Sequence, residues 1–244
     1  MPFTFAHPAI VLPFKYFPKR WFSMTGLVMG SMVPDFEYFI RLRVKSVYSH
    51  TWAGLFWFDV PLGLVLTLLY GFLIKDKLID HLPGLFNNRL QQFKNAPSNH
   101  YSFYYLIIIG VSVLTGAASH IIWDGFTHPT GYFVGVIPIL THTISLGSKH
   151  VYIYKLIQHT STIAGLGFIL LIVLSLPQGN RIKVSHVIRY WIEVIIVSII
   201  VLSIRILTGL SFNEYGNLVV TMITGCLLGL IIASLLTNKK EKYN

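Results

Sequence analysis

The sequence TGAASHIIWDGFTHPT, residues 115–130, places His120, Asp124 and His128 at four-residue intervals at the end of an apolar run. Four residues turn a helix through about 400°, so the side chains of His120 and Asp124 project from one face, one turn apart. His128 follows on a face rotated by roughly another 40°, just before Pro129 ends the helix. An imidazole and a carboxylate spaced in this way can bind one small cation, as in many zinc sites. The spacing also fits a plain buried His–Asp hydrogen bond, with His128 as a loop residue.

The chain as a whole is too apolar for a soluble domain. Hydrophobic residues make up 54% of its 244 positions and charged residues only 11%, whereas soluble domains carry about 25% charged residues. Five apolar runs each approach the roughly 20 residues that a helix needs to cross a bilayer. They cover residues 51–74, 103–123, 151–176, 187–210 and 218–236. The sequence therefore predicts an all-α, polytopic helical membrane protein with about five transmembrane helices and short interfacial or re-entrant helices.

Most of the polar motifs lie in the first 176 residues. We expect a motif-bearing helical membrane domain over residues 1–176, and two further transmembrane helices with a basic tail over residues 177–244. Residues 21–33 are too short to span a bilayer. They predict a short helix that ends in a turn at Pro34, because proline disfavours helix in the residue before it. Residues 129–149 hold turn residues around a short apolar piece, which fits a re-entrant segment.

The net charge of +10 raises the question of an acidic partner. The basic residues lie beside the apolar spans, as Lys15, Arg41 and Arg43 do, and this position favours contact with anionic lipid headgroups. We therefore expect membrane lipid, and no nucleic acid, as the partner. The single cysteine, Cys226, lies inside the last apolar run, which excludes a disulfide within the chain and a cysteine-based metal site.

Ionisable residues inside the spans point to one polar site. Asp59 lies about two turns into the first span, where a charged group should face protein, water or a cation. Gln158 and His159 lie at a similar depth in the third span, and because adjacent helical residues point about 100° apart, we expect only one of them to face the site. If the spans alternate in direction, these groups share one side of the membrane with the end of the second span. The residues that join them from outside the spans are His7, Asp35 and His50.

Five motifs of the chain occur in the same order in a known family. They are MPFTFAHPA, GSMVPDFEYF, YSHTWAGLFWFDVPLG, GAASHIIWDGFTH and KLIQHTST. Through them, residues 1–170 resemble an uncharacterised family of bacterial integral membrane proteins. That family is similar to the predicted inner-membrane metal-dependent hydrolases, and more distantly to the zinc-dependent phospholipase C fold. The resemblance implies a location in the bacterial cytoplasmic (inner) membrane.

The resemblance also implies a metal site, with Asp124 as the bridge between two ions. The metal ligands that it implies are His7, Asp35, His50, His120 and Asp124. The later His-x3-Glu pair of the phospholipase pattern is missing, so one or two divalent ions are expected, with His128 or His159 as a further ligand. Zinc suits histidine and aspartate ligands, and manganese and iron stay open on ligand type alone. Asp35 also suits a helix cap, while His7 and His50 also suit loop and interfacial positions.

These expectations predict a membrane-embedded metal-dependent hydrolase. A divalent ion lowers the pKa of a coordinated water from about 15.7 toward 7 and polarises the scissile oxygen. We expect the target to be a phosphodiester or ester of a lipid or lipid-linked substrate. The candidates for catalytic roles are Glu37 (a general base or a solvated helix residue), Asp59 (which would orient a metal-bound histidine), Gln158 and His159. The alternative is a non-enzymatic membrane protein, either a metal or proton carrier or a partner-binding subunit, because polar residues in a helical bundle also mark ion pathways.

Overall fold

The structure is a computed structural model that describes residues 3–18, 20–94, 102–179 and 186–237. Helices dominate these residues, and the only sheet within them is a two-stranded antiparallel hairpin, so the predicted all-α fold class is confirmed. The helices are α1 (Pro8–Val11), α2 (Met24–Arg41), α3 (Trp52–Gly54), α4 (Val60–Leu69), α5 (Lys75–His81), α6 (Gly84–Leu90), α7 (Phe103–Thr127), α8 (Tyr132–Val136), α9 (Ile153–Ser175), α10 (Val187–Leu207) and α11 (Tyr215–Leu236). The hairpin pairs β1 (Thr143–Leu146) with β2 (Lys149–Tyr152). Short 3-10 helices cover Thr4–Ala6, Leu12–Tyr16, Gln91–Phe93 and Pro138–Thr141, and π-helical turns cover Leu55–Asp59 and Tyr70–Ile74.

Five helical segments are long and apolar enough to cross a membrane. They are Trp52–His81, Phe103–Val136, Ile153–Ser175, Val187–Leu207 and Tyr215–Leu236. The chain is therefore a membrane protein with helical spans, as its composition predicts. The first span continues to His81 instead of ending at residue 74, because residues 75–82 contain no glycine or proline that would end the helix before Pro83. Residues 129–149 form short elements, namely α8, a 3-10 helix and most of the hairpin.

Helix α2 differs from the prediction of a short helix that ends at Pro34. It runs from Met24 to Arg41 with Pro34 in its interior, so the predicted turn is wrong. Proline lacks the N–H that would bond the carbonyl of Gly30, four residues earlier, and normally kinks or breaks a helix. Here the helix continues because α2 is packed along α7, and tertiary packing outweighs the local preference.

Glycines allow helices α2 and α7 to approach each other closely. A Cβ atom at Gly30 would lie 2.3 Å from the carbonyl oxygen of Val113, and one at Gly116 would lie 2.4 Å from the backbone of α2. No side chain fits at either position. His120 follows Gly116 by one helical turn, and Asp35 follows Gly30 by slightly more than one turn. The close contact thus places the two motif-bearing stretches against each other.

The chain divides into two compact units by its internal contacts. The first contains Met1–Asp35, Tyr48–Thr67 and Tyr101–Ile172, and the second contains Phe36–Val47, Leu68–His100 and Val173–Asn244. The units are interleaved along the chain, whereas the domain boundary predicted at residue 176 is a single cut. All six predicted metal ligands belong to the first unit. In the second unit, α10 and α11 pack on each other, with Tyr190, Val194 and Ala233 buried between them.

Candidate metal centre

Four side chains of the first unit converge on one point. The Nε2 atom of His50 lies 3.5 Å from Oδ1 of Asp35 and 3.7 Å from Oδ2 of Asp124. The Nε2 atom of His120 lies 3.6 Å from Oδ1 of Asp35 and 3.4 Å from Oδ2 of Asp124. Each imidazole nitrogen therefore faces two carboxylate oxygens at nearly equal distances. Helices α2 and α7 and the loop before α3 supply these residues.

The separations between these atoms fit ligands of a metal ion better than hydrogen bonds. A nitrogen and an oxygen joined by a hydrogen bond lie about 2.7–3.2 Å apart. Four ligands placed tetrahedrally about 2.1 Å from a zinc ion lie about 3.4 Å from one another. Within the described part of the chain, Nε2 of His120, Oδ1 of Asp35 and both carboxylate oxygens of Asp124 are buried without a hydrogen-bond partner. Buried polar atoms are normally paired, so this donor set fits a bound cation.

Two neighbouring groups fix the orientation of the innermost donors. The Nδ1–H of His120 donates to the carbonyl oxygen of Ser31 at 2.7 Å, which leaves the lone pair of Nε2 directed at the centre. The hydroxyl of Thr4 donates to Oδ2 of Asp35 at 2.5 Å, which leaves Oδ1 for the centre. Metal-binding histidines and carboxylates usually have such outer partners, because these fix the tautomer and the ring orientation. The arrangement suits a metal ion.

The centre opens to the surface at two histidines. The side chains of His50 and His128 are 21% and 29% exposed, whereas those of Asp35 and His120 are fully buried. Ser49 Oγ lies 3.0 Å from Nδ1 of His50 and so turns Nε2 of that ring inward. The rings of His50 and His128 therefore form the edge of the centre that lies nearest the surface, although Nε2 of His50 is itself buried.

His7 faces a different side of the centre from the other histidines. Its ring stacks on that of His120, with the ring centroids 3.7 Å apart and the planes 14° from parallel. An imidazole lone pair lies in the ring plane, so two stacked rings cannot both direct Nε2 at one ion about 2.1 Å away. The Nε2 atom of His7 instead lies 3.7 Å from Oδ1 of Asp124, while Oδ2 of Asp124 faces His50 and His120. The two oxygens of Asp124 thus face two sets of histidines, as a bridging carboxylate does.

The protonation states of His7 and Asp35 suit cation binding. Burial, assisted by the neighbouring His120 ring, lowers the pKa of His7 to about 3, so its imidazole is neutral at pH 7. A histidine must be neutral to bind a metal. Burial alone would raise the pKa of Asp35, but the surrounding histidines, His120 above all, outweigh it and hold that pKa below its usual value. Asp35 is therefore an ionised carboxylate.

His128 lies beside the centre but uses its Nδ1 locally. It caps helix α7, where its backbone N–H donates to the carbonyl oxygen of Asp124 at 3.1 Å. Its Nδ1 lies 3.3 Å from the same carbonyl oxygen and 3.6 Å from Oδ2 of Asp124. Because Nδ1 of His128 lies at the carbonyl oxygen of Asp124, His128 helps to fix the position of Asp124 at the helix end. His128 as a metal ligand stays a prediction.

Glu37, a predicted catalytic residue, takes part in a hydrogen-bond network of the second unit. Its Oε1 accepts hydrogen bonds from Nε of Arg41 at 2.7 Å and from the N–H of Val47 at 2.9 Å. Its Oε2 accepts a hydrogen bond from Ser46 at 3.1 Å. The interpretation of Glu37 as a solvated helix residue is wrong, because the side chain is buried where it closes the loop after α2.

Asp59 is completely buried in the first unit, at the end of the π-helical turn Leu55–Asp59. In this turn the N–H of Val60 donates to the carbonyl oxygen of Leu55, five residues earlier. Such turns are frequent at functional sites, and Pro61 follows this one after a single residue, Val60. Among the described residues, Asp59 lies outside the His/Asp groups whose ligand atoms come within 4.8 Å of one another. Its role in orienting a metal-bound histidine stays a prediction.

Gln158 and His159 differ in exposure on helix α9. Gln158 is half-buried and His159 is exposed, as the rotation of about 100° between neighbouring helical residues predicts. Because His159 faces outward, it does not supply the further metal ligand expected from the resemblance. Of the two, only Gln158 has a side chain directed partly into the protein.

Sequence reasoning missed the groups that orient the donors. Thr4 lies three residues before His7, and Ser49 directly precedes His50, so a search for hydroxyls beside candidate ligands would have found both. The carbonyl of Ser31 has no side-chain signal, because it is a backbone atom placed by the crossing of α2 and α7. His81, which belongs to none of the motifs, is buried in the second unit, where its ring stacks on Tyr190.

Comparison with known proteins identifies a family for almost the entire chain. Residues 1–235 match a family described as a domain of unknown function, DUF4184, and the chain belongs to that family. This agrees with the resemblance to an uncharacterised family that the motifs indicate. No curated protein and no solved structure matches the chain.

Proposed function

We propose that this member of a family of unknown function is a membrane-embedded metal-dependent hydrolase. Its substrate is a phosphodiester or ester of a lipid or lipid-linked compound, and its location is the bacterial cytoplasmic membrane. One observation carries the proposal. Two imidazole nitrogens and two carboxylate oxygens face one another at 3.4–3.7 Å, the edge lengths of a tetrahedral metal site. The resemblance to inner-membrane hydrolases supports the reaction class and the membrane.

The donors divide into two sets around Asp124. Asp35, His50, His120 and Oδ2 of Asp124 form the first set, whose histidine and aspartate composition suits zinc. Oδ1 of Asp124 and the ring of His7 form the second set. Catalytic zinc sites keep a position open for water or substrate, whereas structural sites are filled by four protein ligands. Since the first set already has four protein donors, we assign the open position to the side of His7, whose ring also lies within 4.8 Å of ligand atoms of Asp35 and His120.

The residues around the centre prepare it for hydrolysis. A divalent ion held there supplies a Lewis acid for the scissile oxygen and acidifies a water. Asp35, held by Thr4, and Asp124 provide two negative charges that retain a cation in a buried place. The Ser31 carbonyl keeps the proton of His120 on Nδ1. Burial excludes bulk water and strengthens each of these electrostatic contacts.

The position of the centre fits a membrane-bound substrate. His50 lies two residues before the first span, and His120 and Asp124 lie near the C-terminal end of α7. The start of the first span and the end of helix α7 therefore meet at the centre, and we place this level at the edge of the hydrocarbon. The linkage between the headgroup and the chains of a lipid lies at that same level.

The test is hydrolysis by zinc-loaded protein in mixed micelles with a phospholipid, followed by release of the headgroup and of fatty acid. We expect turnover by the wild type, none by Asp124→Asn, and unchanged turnover by His142→Ala, which alters an exposed histidine.

A second candidate, a non-enzymatic metal protein, is favoured by the four protein donors of the first set, which can complete a tetrahedron. A wild type that retains its metal but hydrolyses no ester or phosphodiester lipid would favour that candidate.

A further inference from the structure

A groove of about 250 Å³ on the first unit ends at His7. Apart from His7 and Ser161, its walls are apolar or small. The residues that shape it are Ala9 and Ile10 of the N-terminal segment, Trp123 of α7, and Ala164 and Phe168 of α9. His7 is 2% exposed, and within the described residues neither of its ring nitrogens has a hydrogen-bond partner. The groove therefore leads along an apolar wall to one buried polar group.

The groove faces the side of the helices that meets hydrocarbon. Two of its walls are the spans Phe103–Val136 and Ile153–Ser175, and none of the most apolar stretch of the latter is buried inside the protein. Ile10 and Phe168 on its rim are both exposed. In a bilayer the medium around such a surface consists of lipid chains, so an alkyl chain is the occupant whose chemistry matches these walls.

The size of the groove fits part of a ligand. Pockets that enclose a whole small-molecule ligand measure about 300–1,000 Å³, and this groove is smaller. A lipid needs no complete enclosure, since the rest of the molecule stays in the bilayer. The small side chains of Ala9 and Ala164 leave room for a chain to lie against the helices.

We propose that this groove holds one alkyl chain of the lipid on which the metal centre acts, in contact with His7. The inference rests on the proposed function in that the bound lipid is the substrate. The ring of His7 stacks on His120 and lies 3.7 Å from Oδ1 of Asp124. A chain seated against His7 therefore brings the linkage between chain and headgroup to the side of the centre to which we assign the open position. The substrate class is a long-chain ester or phosphoester.

The test fills the groove and measures lipid retention. The full-length protein in detergent micelles is titrated with palmitoyl-oleoyl phosphatidylglycerol, and bound lipid is counted by native mass spectrometry. We expect one tightly held lipid on the wild type. In Ala164→Trp its dissociation constant should rise by about tenfold, the equivalent of displacing roughly two methylene groups. The matched control is Ile163→Trp, because Ile163 is the preceding residue, is 75% exposed and does not line the groove. That control should keep the affinity of the wild type.

A second variant and metal analysis make the result decisive. Ala9→Phe narrows the groove from the N-terminal side and should weaken retention in the same way, with thermal unfolding as a check on folding. If the wild type, Ala164→Trp and Ala9→Phe retain the lipid equally, the groove is not the lipid-binding site, and the proposed metal centre is unaffected by this result. His120→Ala should lose its metal and still retain the lipid. If the wild type retains the lipid but binds no metal, the proposed hydrolase function is wrong and only the lipid-binding groove remains.

Discussion

Asp35 and Glu37 are two residues apart in helix α2 and both are buried, yet their carboxylates have different surroundings. Both oxygens of Glu37 accept hydrogen bonds, among them those from the side chains of Arg41 and Ser46. Asp35 uses one oxygen to accept a bond from Thr4. Its other oxygen faces two imidazole nitrogens at 3.5 and 3.6 Å, beyond ordinary hydrogen-bond length. Glu37 belongs to a closed hydrogen-bond network, and Asp35 belongs to an open donor set.

The comparison separates buried polar groups that are paired within the fold from those whose donor atoms face one another, as around a ligand. Asp80 in the second unit resembles Glu37, because Lys94 and Gln91 both donate to its carboxylate. In the first unit, the nitrogen of His120 that faces the carboxylates keeps its lone pair outward, because its other nitrogen is bonded to the Ser31 carbonyl. Lone pairs on both sides repel unless a cation or a proton lies between them. Our proposal places the cation there, because metal-binding histidines and carboxylates usually have such outer partners.

The largest expected effect follows from removing a donor of the open set. His120→Ala should lose nearly all bound metal, because its Nε2 contacts both carboxylates of the centre. Metal content after purification in zinc-containing buffer is the measurement, and His142→Ala is the matched histidine control. A His120→Ala protein that keeps the metal content of the wild type would place the ion elsewhere.

An intermediate effect is expected from removing an outer partner. Thr4→Val deletes the hydroxyl that fixes Asp35 but preserves the size of the side chain. Metal affinity should fall by about 10–100-fold, the usual effect of losing such a partner. Competition with a chromogenic chelator measures the affinity. Thr160→Val is the control, since the Thr160 hydroxyl bonds only to carbonyls of its own helix, among the contacts described. Unchanged affinity in Thr4→Val would remove Thr4 from the centre.

The smallest effect on the metal is expected in the closed network. Glu37→Gln removes the charge that pairs with Arg41 and should lower the free energy of unfolding by roughly 1–3 kcal/mol. Metal content should be the same as in the wild type. Thermal unfolding of the detergent-purified protein, combined with metal analysis, checks both statements. If Glu37→Gln loses its metal but keeps the stability of the wild type, Glu37 belongs to the metal centre and the distinction from Asp35 is wrong.

The sequence predicts the spans and one face of the centre well, for physical reasons. Long apolar runs have few alternatives to membrane helices, and the spacing of His120 and Asp124 needs only the helical repeat to place both side chains on one face. Asp35 and His50 are predicted as metal ligands by the resemblance alone, because their approach to α7 depends on a helix crossing. The crossing depends on Gly30 and Gly116. Packing at the crossing also explains why helix α2 continues past Pro34, although proline locally disfavours helix. The burial of Glu37 depends on the loop that follows α2, which residue spacing does not reveal.

The stacking of His7 on His120 was likewise inaccessible from sequence. His7 lies in a short N-terminal segment of 3-10 and α-helix, and its distance from α7 is set by packing between residues more than 100 positions apart. No spacing rule connects the two positions. The resemblance implies that Asp124 bridges two ions, but which histidine faces which of its oxygens emerges only from the structure.

X-ray absorption spectroscopy at the zinc edge of the purified, full-length protein tests the central claim most directly. The account predicts bound zinc with only nitrogen and oxygen ligands at about 2.0–2.2 Å. It also predicts the outer-shell scattering of at least two imidazole rings, with the signal lost in His120→Ala. Folded wild-type protein that carries no metal after zinc-replete purification, or zinc without imidazole ligands, would contradict the account.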